Sequence, residues 1–181
     1  MSSPDFKQNY FELFGLPVDF AVDVSALGVR YRQLQGEMHP DRYAGASDLE
    51  KRLAVQYSSR VNEAYDTLRH PLPRALYLME LVGVSGEEVS RQQVDGGFLM
   101  MQMELREKLE SMDELVDPDT VLEHLITEID DDLAGLRSEF SASYGAGDHS
   151  AAAVACVKMQ YLDKLLKEAE QLESDLLDKG V

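Results

Sequence analysis

Cysteine occurs once in the 181 residues, at Cys156, which excludes an internal disulfide and any cysteine-rich metal site. No run of about 18 apolar residues is present, so no membrane-spanning helix is expected. The opening residues, MSSPDFKQNY, lack a basic start followed by an apolar stretch, so no secretory signal is expected and the chain is read as cytoplasmic. Signals for β-strands are scarce. There is no Gly-rich phosphate loop and no Gly-x-Ser-x-Gly elbow. His39, His70, His124 and His149 show no paired spacing of the kind metal sites use. An enzyme is therefore a poor reading, and neither a cofactor nor a metal is expected.

Basic residues are few, and their distribution divides the chain. Residues 1–78 hold nine Lys/Arg against ten Asp/Glu, a net of −1, whereas residues 79–181 hold eight against twenty-four, a net of −16. Two segments of such different charge are expected to do different jobs. The acidic segment is a poor partner for nucleic acid, which demands clustered Lys and Arg. Acidity also keeps a protein soluble, and that alone could account for it.

What is present is helical periodicity over most of the chain. A short helix is expected from Tyr10 to Phe14, ended by Gly15 and Pro17. Asp23 suits an N-cap for a second helix carrying Leu27, Tyr31, Leu34 and Met38 on one stripe, stopped by Pro40. Gly28 and Gly36 each weaken that helix by about 1 kcal/mol relative to Ala, so packing must hold it. A third helix, from Ser47 or Asp48 to just before Pro71, carries Leu53, Tyr57, Val61, Ala64 and Leu68 and pairs with the second as an antiparallel hairpin. The stretch RHPLPRALYLMELVG is read as a semi-rigid connection ending in a helical turn or two, and SGEEVSRQQVDGG as a polar segment. Three amphipathic helices follow, at about residues 98–112, 117–144 and 148–177, expected to form an antiparallel bundle. The fold class is thus all-α, with the domain division at residues 1–78 and 79–181.

The loop of the hairpin reads EMHPDRY. Taken alone, Pro-Asp after a helix is ordinary turn chemistry. His39 and Asp41 are two ligands where zinc needs three or four, and nothing accompanies them as a nucleophile. The setting adds more. A short helix followed by a hairpin with His-Pro-Asp in its loop resembles a J domain, whose motif activates a DnaK-type chaperone. NYFELFGLP, MHPDR, RVNEAYDTLRHPLPRALYLMEL, FLMMQMELREKLE and YLDKLLKEAEQLE together resemble the HscB-type co-chaperones of iron–sulfur cluster assembly, over nearly the whole chain. The resemblance implies a J domain over residues 1–78, an L-shaped two-domain protein and no enzymatic activity of its own. It also implies an HscA/DnaK-type ATPase and an IscU-type scaffold protein as partners, and a monomer is the working expectation. Chaperone docking would fall to His39, Pro40, Asp41, Arg30, Arg32 and Arg42. Pro40 stiffens the loop, and Asp41 can accept charge-assisted bonds from a partner's arginine. Two other readings stand beside this one: a general J-domain co-chaperone delivering unfolded clients, and an acidic helical interaction protein whose HPD is only a turn.

FLMMQMELREKLESM has more apolar residues than one face can bury. At about 100° per residue, Phe98, Met101, Leu105, Leu109 and Met112 make a core stripe. Leu99, Met100, Met103, Glu104, Glu107, Glu110 and Ser111 lie roughly opposite, as an apolar cluster with an acidic border. Either a partner or another helix could cover that face. The resemblance assigns scaffold contact to Leu99, Met100, Met103, Glu104 and Glu107, with Tyr161 contributing from the last helix, and places Ser111 where relatives can carry an acidic residue. Cys156 is read as structural, and nothing in the chain can hold a cluster itself.

Overall fold

Eight helices and no β-strand make up the regular structure among the residues that the computed structural model describes, 6–38, 45, 47–112 and 117–179. They fall into two compact units, Met1–Leu78 and Met79–Val181.

In the first unit, α1 (Tyr10–Phe14) begins at a reciprocal cap in which the Asn9 side chain accepts from the Glu12 N–H and Glu12 reaches back to the Asn9 N–H. It ends at Gly15, whose left-handed φ of 67° lets the Gly15 and Leu16 N–H groups bond back into the helix. Asp23 caps α2 (Val24–Met38), accepting from the Ala26 N–H at 3.0 Å. Ser47 and Glu50 form the same reciprocal box at the start of α3 (Asp48–Arg69). α2 and α3 pack antiparallel: the Tyr31 and Tyr65 rings stack at 4.0 Å, and Tyr31 Oη donates to Asn62. Gly28 is buried there, with Tyr65 Oη 3.7 Å from where a Cβ would stand, so this glycine sits at the helix contact. Leu27, Leu34, Val61, Ala64 and Leu68 are buried, as their periodicity predicts, while Tyr31, Leu53 and Tyr57 are half-buried and the side chain of Met38 lies outside the described residues.

The expected proline-rich connection is instead a full helix, α4 (Pro71–Leu81), which runs through the division at Leu78. Pro71 and Pro73 stand in its first turn, where N–H groups have no intrahelical partner to lose, so the helix includes them and does not begin only in the helical turn or two expected after them. Arg74 follows, only 5% exposed. Its guanidinium donates from Nε to Leu68 O at 2.6 Å, from Nη1 to Phe20 O at 2.6 Å and from Nη2 to Arg69 O at 3.4 Å. One side chain thereby satisfies the end of α3 and fastens the α1–α2 loop to it, with the Phe20 ring 5.4 Å from the guanidinium. Burial pulls its pKa below the ordinary arginine value.

In the second unit, the stretch read as a polar segment contains a short helix, α5 (Gly86–Ser90), again opened by a box, Ser85 with Glu88. α6 (Gly96–Glu110), α7 (Pro118–Gly145) and α8 (His149–Lys179) form the three-helix layer. α7 has Pro118 in its first turn behind the Asp117 cap, and buries Leu122, Leu125, Ile129, Leu133, Leu136 and Phe140. A tight turn through Gly147, at φ 76°, reverses the chain, and Asp148 caps α8 by accepting from the Ala151 N–H at 3.0 Å. α8 buries Ala152, Ala153, Ala155, Cys156, Val157, Met159, Leu162, Leu165 and Ala169. Burial pushes the Cys156 thiol up to about 12, which keeps it protonated and makes it core material. No described helix is long and apolar enough to cross a membrane. Among the described residues, no group of three or more His, Cys, Asp or Glu is placed to hold a metal ion.

Candidate functional site

Two surfaces carry the residues that the sequence singles out. On the first, His39, Pro40, Asp41 and Arg42 lie outside the described residues. The structure fixes what flanks them: α2 runs to Met38, and the Ser47–Glu50 box opens α3 nine residues later. Glu50 is held below the usual carboxylate range by its bonds to the Ser47 side chain and backbone, so the box is anionic and closed at neutral pH. Arg30 and Arg32 are exposed on α2 and stand about 200° apart around it, at opposite edges of the buried stripe. Arg30 donates weakly to Gln33 at 3.4 Å, which leaves most of its guanidinium facing solvent.

The second surface is α6. Its cap, Asp95, accepts from the Phe98 N–H at 2.9 Å. Lys158 of α8 reaches Asp95 at 2.7 Å and lies 5.4 Å from the Phe98 ring centre, tying the start of α6 to α8. Phe98, Leu105 and, just past the helix end, Met112 are buried, with Met101 and Leu109 half-buried between them. Outward, Leu99 is 42% exposed, Met100 66% and Met103 68%, and Glu104, Glu107 and Glu110 are exposed beside them. Tyr161, 43% exposed on α8, meets this edge through Phe98, their rings 6.2 Å apart and tilted. The fold thus brings Tyr161 next to the α6 face. No other described helix covers Met100 or Met103. Ser111 is half-buried and ends α6, its hydroxyl donating to Glu107 O at 2.9 Å.

Sequence reasoning missed Asp95 and Lys158 as the pair that sets α6 in place. An aspartate ahead of Gly-Gly and an apolar run is an N-cap signal; the lysine has no comparable local mark. Lys158, then the Phe98 N–H, hold the Asp95 carboxyl at about 2, below its ordinary 3.8. A carboxyl with a depressed folded pKa adds stability that is present above its unfolded pKa and lost as pH falls through the folded one. Lys158→Met should therefore melt at a lower temperature than the parent near neutral pH. The gap should narrow as pH falls from about 4 towards 2, as thermal melts across that range would show.

The chain is 40% identical over 171 residues to the co-chaperone protein HscB homologue of Shewanella loihica, an overlap that spans 93% of this chain and 99% of the relative. It belongs to the HscB co-chaperone family. HscB relatives of similar identity include that of Pseudoalteromonas atlantica, at 42% over 173 residues, covering 94% of this chain and 99% of the other. A model described as the HSCB C-terminal oligomerisation domain matches residues 94–170, which take in all of α6 and α7 and most of α8. Among solved structures, the HscB chaperone of Vibrio cholerae superposes with a TM-score of 0.84 at 38% identity, over 93% of this chain and 99% of that one. Human HscB superposes with a TM-score of 0.87 at 29% identity, over 96% and 86%. The all-helical class and the non-enzymatic, co-chaperone character follow from this membership.

Proposed function

We propose that this HscB-family protein works in the cytoplasm as a J-domain co-chaperone of iron–sulfur cluster assembly, joining an HscA/DnaK-type ATPase to an IscU-type scaffold protein. Residues 1–78 act as the J domain. His39, Pro40 and Asp41 dock on the ATPase and raise its turnover, with Arg30, Arg32 and Arg42 as a basic rim. Residues 79–181 carry the scaffold on Leu99, Met100, Met103, Glu104, Glu107 and Tyr161. The ATP is bound and hydrolysed by the partner, so the chain itself needs no cofactor.

The observation that supports scaffold docking is the contrast within α6: Met100 and Met103 stand two-thirds exposed on one side while Leu105 is 1% exposed on the other. A partner can cover such an apolar face without disturbing the core, and unbranched methionines repack easily against it. The acidic border of Glu104 and Glu107 adds charge selection for a basic surface. Met100→Ala with Met103→Ala should weaken scaffold binding about tenfold, as hot-spot truncations do, with little change in melting temperature. Leu105→Ala should do the reverse, destabilising by about 2–5 kcal/mol as a buried truncation. Scaffold titration calorimetry beside thermal melts separates the two. A methionine pair that melts the protein as badly as Leu105→Ala would remove the docking face.

A further inference from the structure

Among the described residues, the thioethers are sorted by exposure. Met79 is fully buried, Met112 and Met159 are 1% exposed, and Met101 is half-buried. Met100 and Met103 are 66% and 68% exposed, and they are three residues apart on one helix face. The single thiol, Cys156, is buried and held protonated, so it offers an oxidant neither access nor a thiolate. Among the described residues, oxidation in the folded state is thereby directed to two neighbouring sulfurs. The surroundings select the oxidant as well. Glu104 and Glu107 border the pair and the unit carries a net −16 over residues 79–181, which repels anionic oxidants but not neutral hydrogen peroxide.

We infer that Met100 and Met103 form a reversible oxidation site, and that their conversion to sulfoxides by hydrogen peroxide switches off the apolar docking face of α6. The chemistry balances without further reactants. Each thioether sulfur gives an electron pair to one peroxide oxygen; the O–O bond breaks, an S–O bond forms, and the second oxygen leaves as water. Each sulfur loses two electrons and the peroxide gains them. The product is a polar sulfoxide on a side chain that previously offered only apolar surface, and burying it against a partner leaves a strong acceptor unpaired. Because neither sulfur lies in the core, the fold should tolerate what the interface does not. Methionine sulfoxide reductases with a dithiol reductant would restore the face. The switch rests on the docking role proposed above, while the selectivity of oxidation stands on exposure alone.

The test uses the full chain, treated with hydrogen peroxide and quenched in a time course. Peptide mass spectrometry reads which methionines gain oxygen, titration calorimetry with an IscU-type scaffold reads binding, and circular dichroism reads the fold. Met100 and Met103 should oxidise well before Met79, Met112 and Met159, and affinity should fall about tenfold or more with the melting curve preserved. The variant Met100→Leu with Met103→Leu, compared only with its own untreated affinity, should show no peroxide-dependent loss, and the reductases should return the oxidised parent to full binding. Equal oxidation of the buried methionines overturns the site. Undiminished binding by the doubly oxidised chain overturns the switch and leaves a peroxide scavenger only, as does an equal loss in the leucine variant. An untreated chain that fails to bind the scaffold overturns the docking role instead, and with it the switch.

Discussion

Arg74→Met should lower the melting temperature of the first unit by about 10–30 °C, through the loss of about 2–5 kcal/mol. The side chain is 5% exposed and its donors go to three backbone carbonyls, Leu68, Phe20 and Arg69. Methionine fills similar volume and removes a desolvated charge, both of which favour the variant. Against that, the carbonyls at the end of α3 and in the α1–α2 loop lose their donors where water cannot easily replace them, at about 1–3 kcal/mol for each buried group. Two short bonds at 2.6 Å make this the larger effect. Arg74→Lys keeps the charge but has no planar fork to reach carbonyls on different segments, so it should fall between the two. Thermal melts followed by helical circular dichroism decide the matter. If Arg74→Met melts with the parent, carbonyl satisfaction is not what this arginine supplies.

His39→Gln and Asp41→Asn should each return the turnover of an HscA/DnaK-type ATPase to its basal rate while leaving helical content intact. Asp41 is suited to accept a charge-assisted bond from a partner's arginine, an interaction worth about 1.5–3 kcal/mol, and the amide keeps the shape but not the charge. His39 brings an imidazole that can donate a hydrogen bond, and Gln changes the shape and reach of that donor. Both are read from the sequence as docking residues of the hairpin loop and not as members of a helical core stripe, so a folded but silent variant is the expected state. ATPase turnover and circular dichroism, measured on one preparation, check this. Full stimulation by either variant would remove the loop from the docking surface.

The helices that were plain in the sequence are those with a long stripe and a cap. The α7 repeat from Leu122 to Phe140 is buried throughout, and α1 occupies the expected residues. α4 was obscured by Pro71 and Pro73, because proline breaks a helix interior but is tolerated in the first turn, and only the backbone shows which applies. α5 is too short for periodicity to register, although its Ser85–Glu88 box was there to be read. On α6 the two faces could be separated by angle alone, since Met100 and Leu105 differ in direction rather than in chemistry. Tyr161 came to that face by resemblance, and its seat beside Phe98 depends on how α8 packs. Arg74 and Lys158 could not have been distinguished from solvated basic residues, because what matters in each is a partner distant in sequence: Phe20 for one, Asp95 for the other.

The turn at Gly147 also bears on the order in which the second unit assembles. It joins two helices of 28 and 31 residues whose contacts lie close in sequence on either side of it. Such contacts close small loops first, so the α7–α8 hairpin can condense early and serve as a template. α6 packs more sparsely on both helices, so less of its surface holds it in place. The helix that bears the exposed methionines is therefore the more lightly held layer of its unit, fastened at its start by Asp95 and Lys158 and able to adjust its outer face while the hairpin beneath it stays formed.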